Sequence, residues 1–216
     1  YMGVKNLLRT GQFFGLQYIY QTLTNSDGAD PIDYPAIMAN PAEFELVATD
    51  AATGKPVYFT KDDMKQDDYR AIMASCALPV MCRPISFKDQ TYFDGGLSDS
   101  VPIMRAFAKG CDRVVVILSK PRSFVKQPEG FRHIYRHALR KYPQTIAALD
   151  NRHLMYRQNI ADVKKQESAG KALVFAPSKE LKMSTYARDE KLEQELYDLG
   201  ISDFDARLNE LHTFLS

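Results

Sequence analysis

At 216 residues, with 45% hydrophobic and 25% charged side chains, the chain suits one globular domain with an appendage and has the apolar content for a core. A net charge of +1 argues against the basic coat of a nucleic-acid-binding protein, so no nucleic-acid partner is expected. No apolar run approaches the roughly 18 residues of a membrane span, no secretory leader is visible, and Cys76, Cys82 and Cys111 lack the paired spacing of a disulfide framework or zinc site, which fits a reducing, cytoplasmic setting.

Residues 3–24 mix Val4, Leu7, Leu8, Phe14, Leu16, Ile19, Tyr20 and Leu23 with few charges. That predicts two short helices broken near Gly11 and Gly15, with the apolar residues in a core rather than lining a groove. Residues 25–31 form a loop by composition, and a short helix follows over 34–40. The stretches 44–49 and 56–60 read as strands, joined through Thr53 and Gly54 into a hairpin. Asp62 and Asp63 suit a helix N-terminus; the spacing of Tyr69, Ile72 and Met73 carries that helix to Ala77, and Pro79 stops it.

A short strand closes at Phe93 and delivers Asp94 into Gly95 and Gly96. Pro102 stands in the first turn of a helix over 101–109, ended by Gly110. Residues 113–118 then give a continuous apolar run, the pattern of a strand buried on both faces in a parallel sheet covered by helices. After a loop containing Pro121, Ser123, Pro128 and Gly130, a helix is expected over 131–142. Another starts at Pro143, with Ile146, Leu149, His153, Tyr156, Ile160 and Val163 at helical spacing down to Gly170. A last strand lies at 172–176. The tail reads as two helices, the first capped by Gly200 and the second introduced by Ser202 and Asp205.

Asp94 is the residue most able to carry chemistry. An acid at a strand's carboxyl end sits where open α/β sheets place their ligands. Two glycines after it allow a sharp turn and keep side chains away from the carboxylate. Such a carboxylate can take a proton from a serine hydroxyl; its bland alternative is a turn in which the Asp bonds its own backbone. His133, His137, His153 and His212 all fall on predicted helices without metal-ligand spacing and read as surface or interface residues. Arg132, Arg136 and Arg140, with His133, His137 and Lys141, form a basic stripe beside Phe131, Ile134, Tyr135 and Leu139. It is either a solvated helix face or a surface attracted to anionic lipid headgroups.

Several features together resemble the patatin-like phospholipase family. They are Ala74-Ser75-Cys76-Ala77-Leu78-Pro79, then Tyr92-Phe93-Asp94-Gly95-Gly96, then Pro102, its helix and the following strand, with Leu46-Val47-Ala48-Thr49-Asp50 and Thr53-Gly54 before them. The resemblance covers most of residues 1–120. The helices after Phe131 look like an extension found in a bacterial branch of that family. The resemblance implies an α/β three-layer sandwich around a mostly parallel central sheet, as the patatin-like domain over 1–120. Residues 121–216 would be a mostly helical extension packed on it, with one further strand near 172–176.

The resemblance also implies a lipid acyl hydrolase with a serine–aspartate dyad, acting on a lipid or other carboxylic ester with no metal or organic cofactor and no histidine. Asp94 matches the catalytic acid, and Gly95 and Gly96 its turn. Ser75 sits in a segment that is structural in the family. The Gly-x-Ser-x-Gly elbow and the glycine-rich oxyanion loop are absent; Gly96-Leu97-Ser98-Asp99-Ser100 lacks the second glycine and follows the wrong element. Both motifs are expected upstream of Tyr1, so the fold is incomplete at its N-terminus and these residues alone are expected to be inactive. Strands missing from the sheet interior would leave bare edges, including a gap beside the strand of Asp94. The rival expectation is a non-catalytic protein of the same fold that binds a partner or a membrane periphery through its C-terminal helices.

Overall fold

A computed structural model describes residues 2–181 and 189–216; Tyr1, before which the missing segment is expected, and residues 182–188 lie outside the described residues. Two compact units divide the chain. One joins residues 1–100 to 127–156, the other joins 101–126 to 157–216. Neither coincides with the expected 1–120 and 121–216.

The first unit begins with helix α1 (Val4–Thr10), closed by Gly11 in the left-handed conformation at φ 72°. Helix α2 (Leu16–Tyr18) continues as a π-helical turn over Ile19–Leu23, and α3 spans Tyr34–Ala39. Strands β1 (Glu45–Asp50) and β2 (Pro56–Thr60) form the expected hairpin, with Val47 opposite Tyr58. The helix foreseen from Asp62 is shorter. Thr60 and Asp63 close a capping box around one 3-10 turn at Lys61–Asp63, and helix α4 starts only at Arg70 and ends at Ser75.

A strand absent from the sequence reading precedes the strand of Asp94. Strands β3 (Ile85–Phe87) and β4 (Gln90–Asp94) join through Lys88 and Asp89, both at positive φ (48° and 59°). Their backbone gives the turn handedness that suits a two-residue hairpin, without the usual glycine.

These strands make a four-stranded sheet in the order β2-β1-β4-β3, antiparallel throughout. The expected mostly parallel central sheet is not what these residues form. Short hairpin connections dictate antiparallel pairing, whereas parallel neighbours need a crossover of about a dozen residues or more. Nor is there a gap beside the strand of Asp94. Ala48 of β1 stands opposite Asp94 on one side, and on the other Asp94 N donates to Ala77 O at 2.9 Å.

Alternation along β4 sends neighbours to opposite faces. Tyr92 packs with Ala48, Phe59, Phe87, Ala71, Met73 and Ala74, so one face of the sheet is covered by α4. Phe93, fully buried, packs with Leu97, Tyr135, Leu139 and Leu149 on the other face. Tyr135, Leu139 and Leu149 come from helix α6 (Arg132–Ala138), the residues just after it, and helix α7 (Pro143–Ser168). Helix α6 and the first part of α7 therefore seal the back of the Asp94 strand, and Thr145 Oγ1 donates to Ala51 O at 3.1 Å inside that contact.

The second unit holds helix α5 (Ile103–Ala108), strand β5 (Val114–Ile117), the last part of α7 and strand β6 (Ala172–Phe175). Strands β5 and β6 pair in parallel, Val116 opposite Val174. Ile103, Val116, Val163, Ala172 and Val174 form its core. Every residue of β6 is buried, but β5 is not buried on both faces as its apolar run predicts: Val115 is 36% and Ile117 80% exposed. Helix α8 (Glu190–Asp205) runs through Gly200 instead of stopping there, and α9 (Leu208–Leu215) follows. Gly200 has open space where a Cβ would stand, so no backbone constraint enforces a cap. Among the described residues no helix is long and apolar enough to cross a membrane.

Candidate active site

Strand β4 ends by presenting Asp94 on the face that carries Tyr92 and Ala48. The chain then tightens into a 3-10 turn over Gly95–Leu97, and Asp94 caps it: Gly96 N donates to Asp94 Oδ1 at 2.7 Å. The self-bonding turn that was the bland alternative is thus formed.

The two glycines serve different ends. A Cβ on Gly95 would lie 2.1 Å from Val47 O, so only glycine allows β1 to lie against the turn. A Cβ on Gly96 would lie 2.9 Å from Asp94 Oδ1 and 3.3 Å from Arg152 Nη2, so its absence leaves the carboxylate room beside a guanidinium.

Thr49, fully buried on β1, fixes the end of the strand by donating from Oγ1 to Asp94 O at 2.8 Å. Its hydroxyl also lies 2.8 Å from Ser98 Oγ. With the threonine proton already given to Asp94 O, Ser98 is the donor of that second bond. Ser100 Oγ donates to Gly96 O at 2.8 Å. The serines of the Gly96–Ser100 imitation of an elbow thus serve the turn's architecture. Ser75 stands at the last residue of α4.

Burial pushes the Asp94 carboxyl above the usual aspartate range, and the Gly96 amide and the nearby Arg152 charge offset part of that rise. Two thiols lie in the same electrostatic neighbourhood. Burial pushes Cys76 up, opposed by its contact with Tyr20 OH and assisted by the Asp94 charge. Burial likewise pushes Cys82 up to about 11, with the Leu78 backbone opposing and Asp94 adding. Both are held as protonated thiols, which makes them poor nucleophiles. The arrangement can therefore accept a proton at Asp94 from a group brought to it, and no thiolate competes for that role.

Arg152 is the residue that sequence reasoning missed. It comes from α7, donates from Nε to Gly96 O at 2.7 Å, and pairs through Nη1 with Glu129 Oε1 at 3.1 Å. Nothing in its local pattern distinguishes it from any polar residue on a long helix, and its target lies 56 residues earlier.

The four histidines are on helices as predicted, His133 and His137 on α6, His153 on α7 and His212 on α9. The basic stripe is partly neutralised. Arg132 and Arg136 both bond Asp150, at 3.1 Å and 2.6 Å, and Tyr135 OH joins them at 2.5 Å. Burial alone would push Asp150 up, but the bonds from Tyr135, Arg136 and Arg132 outweigh it and hold the carboxyl down to about 2.

Parts of the chain are similar to known families and to a known protein. Residues 142–216, which include Arg152, match a domain of unknown function, DUF6363. A stretch of 110 residues is 29% identical to the uncharacterized protein YjjU of Escherichia coli (strain K12), covering 44% of this chain and 30% of that protein. This chain thus corresponds to less than a third of that relative's length. Residues 4–107, which carry Asp94 and its turn, match the family model of the patatin-like phospholipases, so this stretch of the chain is patatin-like.

Proposed function

We propose that the protein is a serine–aspartate acyl hydrolase acting on lipid or other carboxylic esters, with Asp94 as its base. The nucleophile serine and the oxyanion donors would come from residues upstream of Tyr1. The observation that carries this reading is the state of Asp94: half-buried at the end of β4, fixed by its own turn, and raised in pKa inside the segment that matches the family. A carboxylate nearer neutrality is a better proton acceptor at physiological pH than an ordinary one.

In this scheme the serine oxygen attacks the acyl carbonyl as Asp94 takes its proton, giving a tetrahedral oxyanion. Asp94 then returns the proton to the departing alcohol oxygen as the ester C–O bond breaks. Water repeats the sequence on the acyl-serine, Asp94 again taking and returning one proton, and the acid is released. The upstream strands would extend the β5–β6 pair into a larger, mostly parallel sheet. The lipid would be met at the membrane periphery through α6.

The test is ester hydrolysis by the complete protein, on a chromogenic short-chain ester and on phospholipid vesicles. Asp94→Asn should lower kcat by at least about 1000-fold, the scale at which members of a catalytic unit fail. An Asp94→Asn protein that keeps its esterase activity would eliminate the assignment and favour the rival reading, a binding protein with this fold.

A further inference from the structure

We infer that Arg152 is a positioning residue for the Asp94 turn, tying helix α7 to the Gly96 carbonyl and standing beside the carboxylate while Glu129 holds its far side. The inference rests on the reading of Asp94 as the base.

The geometry is specific to arginine. One edge of the guanidinium donates from Nε to Gly96 O, and Nη1 faces Glu129. The planar fork fixes both directions at once, which a lysine ammonium cannot do. Arg152 and Glu129 are each only 24% exposed in their side chains, so the tie is shielded from solvent. Gly96 makes the approach possible, since Asp94 Oδ1 and Arg152 Nη2 both border the space its missing side chain leaves.

The arrangement also avoids over-stabilising the carboxylate. A direct bidentate pair with Arg152 would pull Asp94 down by about 1–3 pH units and weaken it as a base. Here the guanidinium spends its bonds on a carbonyl and on Glu129, and burial still dominates at Asp94. Besides Arg152 and the Gly96 amide, the Cys76 and Cys82 thiols interact electrostatically with Asp94, and burial keeps both uncharged in the neutral range. Changes in the Asp94 titration on altering Arg152 or Glu129 therefore report this pair.

The experiment uses the complete protein with 13C-labelled aspartate, reading the Asp94 titration by NMR alongside the pH profile of kcat/KM. Arg152→Gln should move the Asp94 titration to higher pH, since a positive charge favouring the carboxylate is lost. The acid limb of kcat/KM should move with it, and kcat should fall about tenfold from the loosened turn. Glu129→Gln should move the titration the other way, by leaving the Arg152 charge uncompensated. Arg152→Lys should restore the acid limb but not kcat.

A folded Arg152→Gln protein with an unmoved Asp94 titration overturns the inference. If Arg152→Gln fails to fold, Glu129→Gln decides it: a downward shift supports the role, and no shift overturns it. The titration is read whether or not the protein is active. Failure of the dyad reading, seen as an active Asp94→Asn protein, is therefore a separate result.

Discussion

Asp94 carries, at a single residue, a conflict between stability and the proton-accepting role proposed for it. Its pKa in the folded state is raised above the unfolded value of about 3.9, chiefly by burial. A carboxyl raised in this way favours folding when protonated, below the unfolded value, and that contribution is lost as pH rises through the folded value. At pH 7 the ionised, half-buried carboxylate therefore weighs against the fold. Asp94→Asn removes the charge and keeps an oxygen to accept from Gly96 N. Its Tm should exceed that of the unaltered chain at pH 7, with the gain shrinking toward zero as pH is lowered to about 4. Thermal melts across that range check the sign, and a lower Tm at pH 7 would show that the Gly96 and Arg152 contacts outweigh burial. The acid and its two glycines were legible because their roles are local: a strand end, a tight turn, a missing Cβ. Arg152 was illegible because its role exists only once α7 has packed against β4.

At the level of elements, local signals succeeded where short-range chemistry decides the outcome. Gly11 stops α1 and Pro143 opens α7. The hairpin β3–β4 was missed because its turn, Lys88 and Asp89, lacks the glycine that marks such turns, although Ile85 and Phe87 alternate with exposed Ser86. The acidic pair at Asp62 and Asp63 misled because a capping box can close a single 3-10 turn as well as a helix. Helix α6 shows how packing rewrites a charge pattern. Its stripe looked uniformly basic, yet Asp150 compensates Arg132 and Arg136, while Phe131 and Ile134 remain 83% and 58% exposed. If α6 meets a lipid surface, the apolar pair and the charges beyond Asp150 carry the contact. Replacing Phe131 and Ile134 with serine should reduce cosedimentation with anionic vesicles several-fold. Arg140→Gln with Lys141→Gln should cost more binding than Arg132→Gln with Arg136→Gln, at up to about 1 kcal/mol per charge. Binding indifferent to all three pairs of substitutions would remove α6 from any membrane contact.

For the whole molecule, the sequence read the α/β mixture correctly but placed the open edge of the sheet wrongly. An apolar run such as 113–118 reports that a strand is to be buried, and is silent about which neighbours lie within this stretch of chain. Strand β4 is flanked on both sides, so no further strand can adjoin it as a ladder partner. Strand β5 is different. Val114 N donates to Lys171 O and Leu118 N to Phe175 O, both toward β6. In a parallel ladder successive amides alternate in direction. The amides of Val115 and Ile117 therefore point to the opposite edge, where no described strand pairs. Parallel strands normally lie inside larger sheets covered on both faces, and a lone two-stranded sheet is marginal in water. The exposed side chains of Val115 and Ile117 fit a strand whose covering and second neighbour come from elsewhere in the complete protein. Hydrogen exchange can measure this directly. In the complete protein the Val115 and Ile117 amides should exchange at least about 100-fold more slowly than in residues 1–216 alone, with the Val116 amide changing much less. Equal exchange at Val115 and Ile117 in the two proteins would mean that β5 is a true sheet edge.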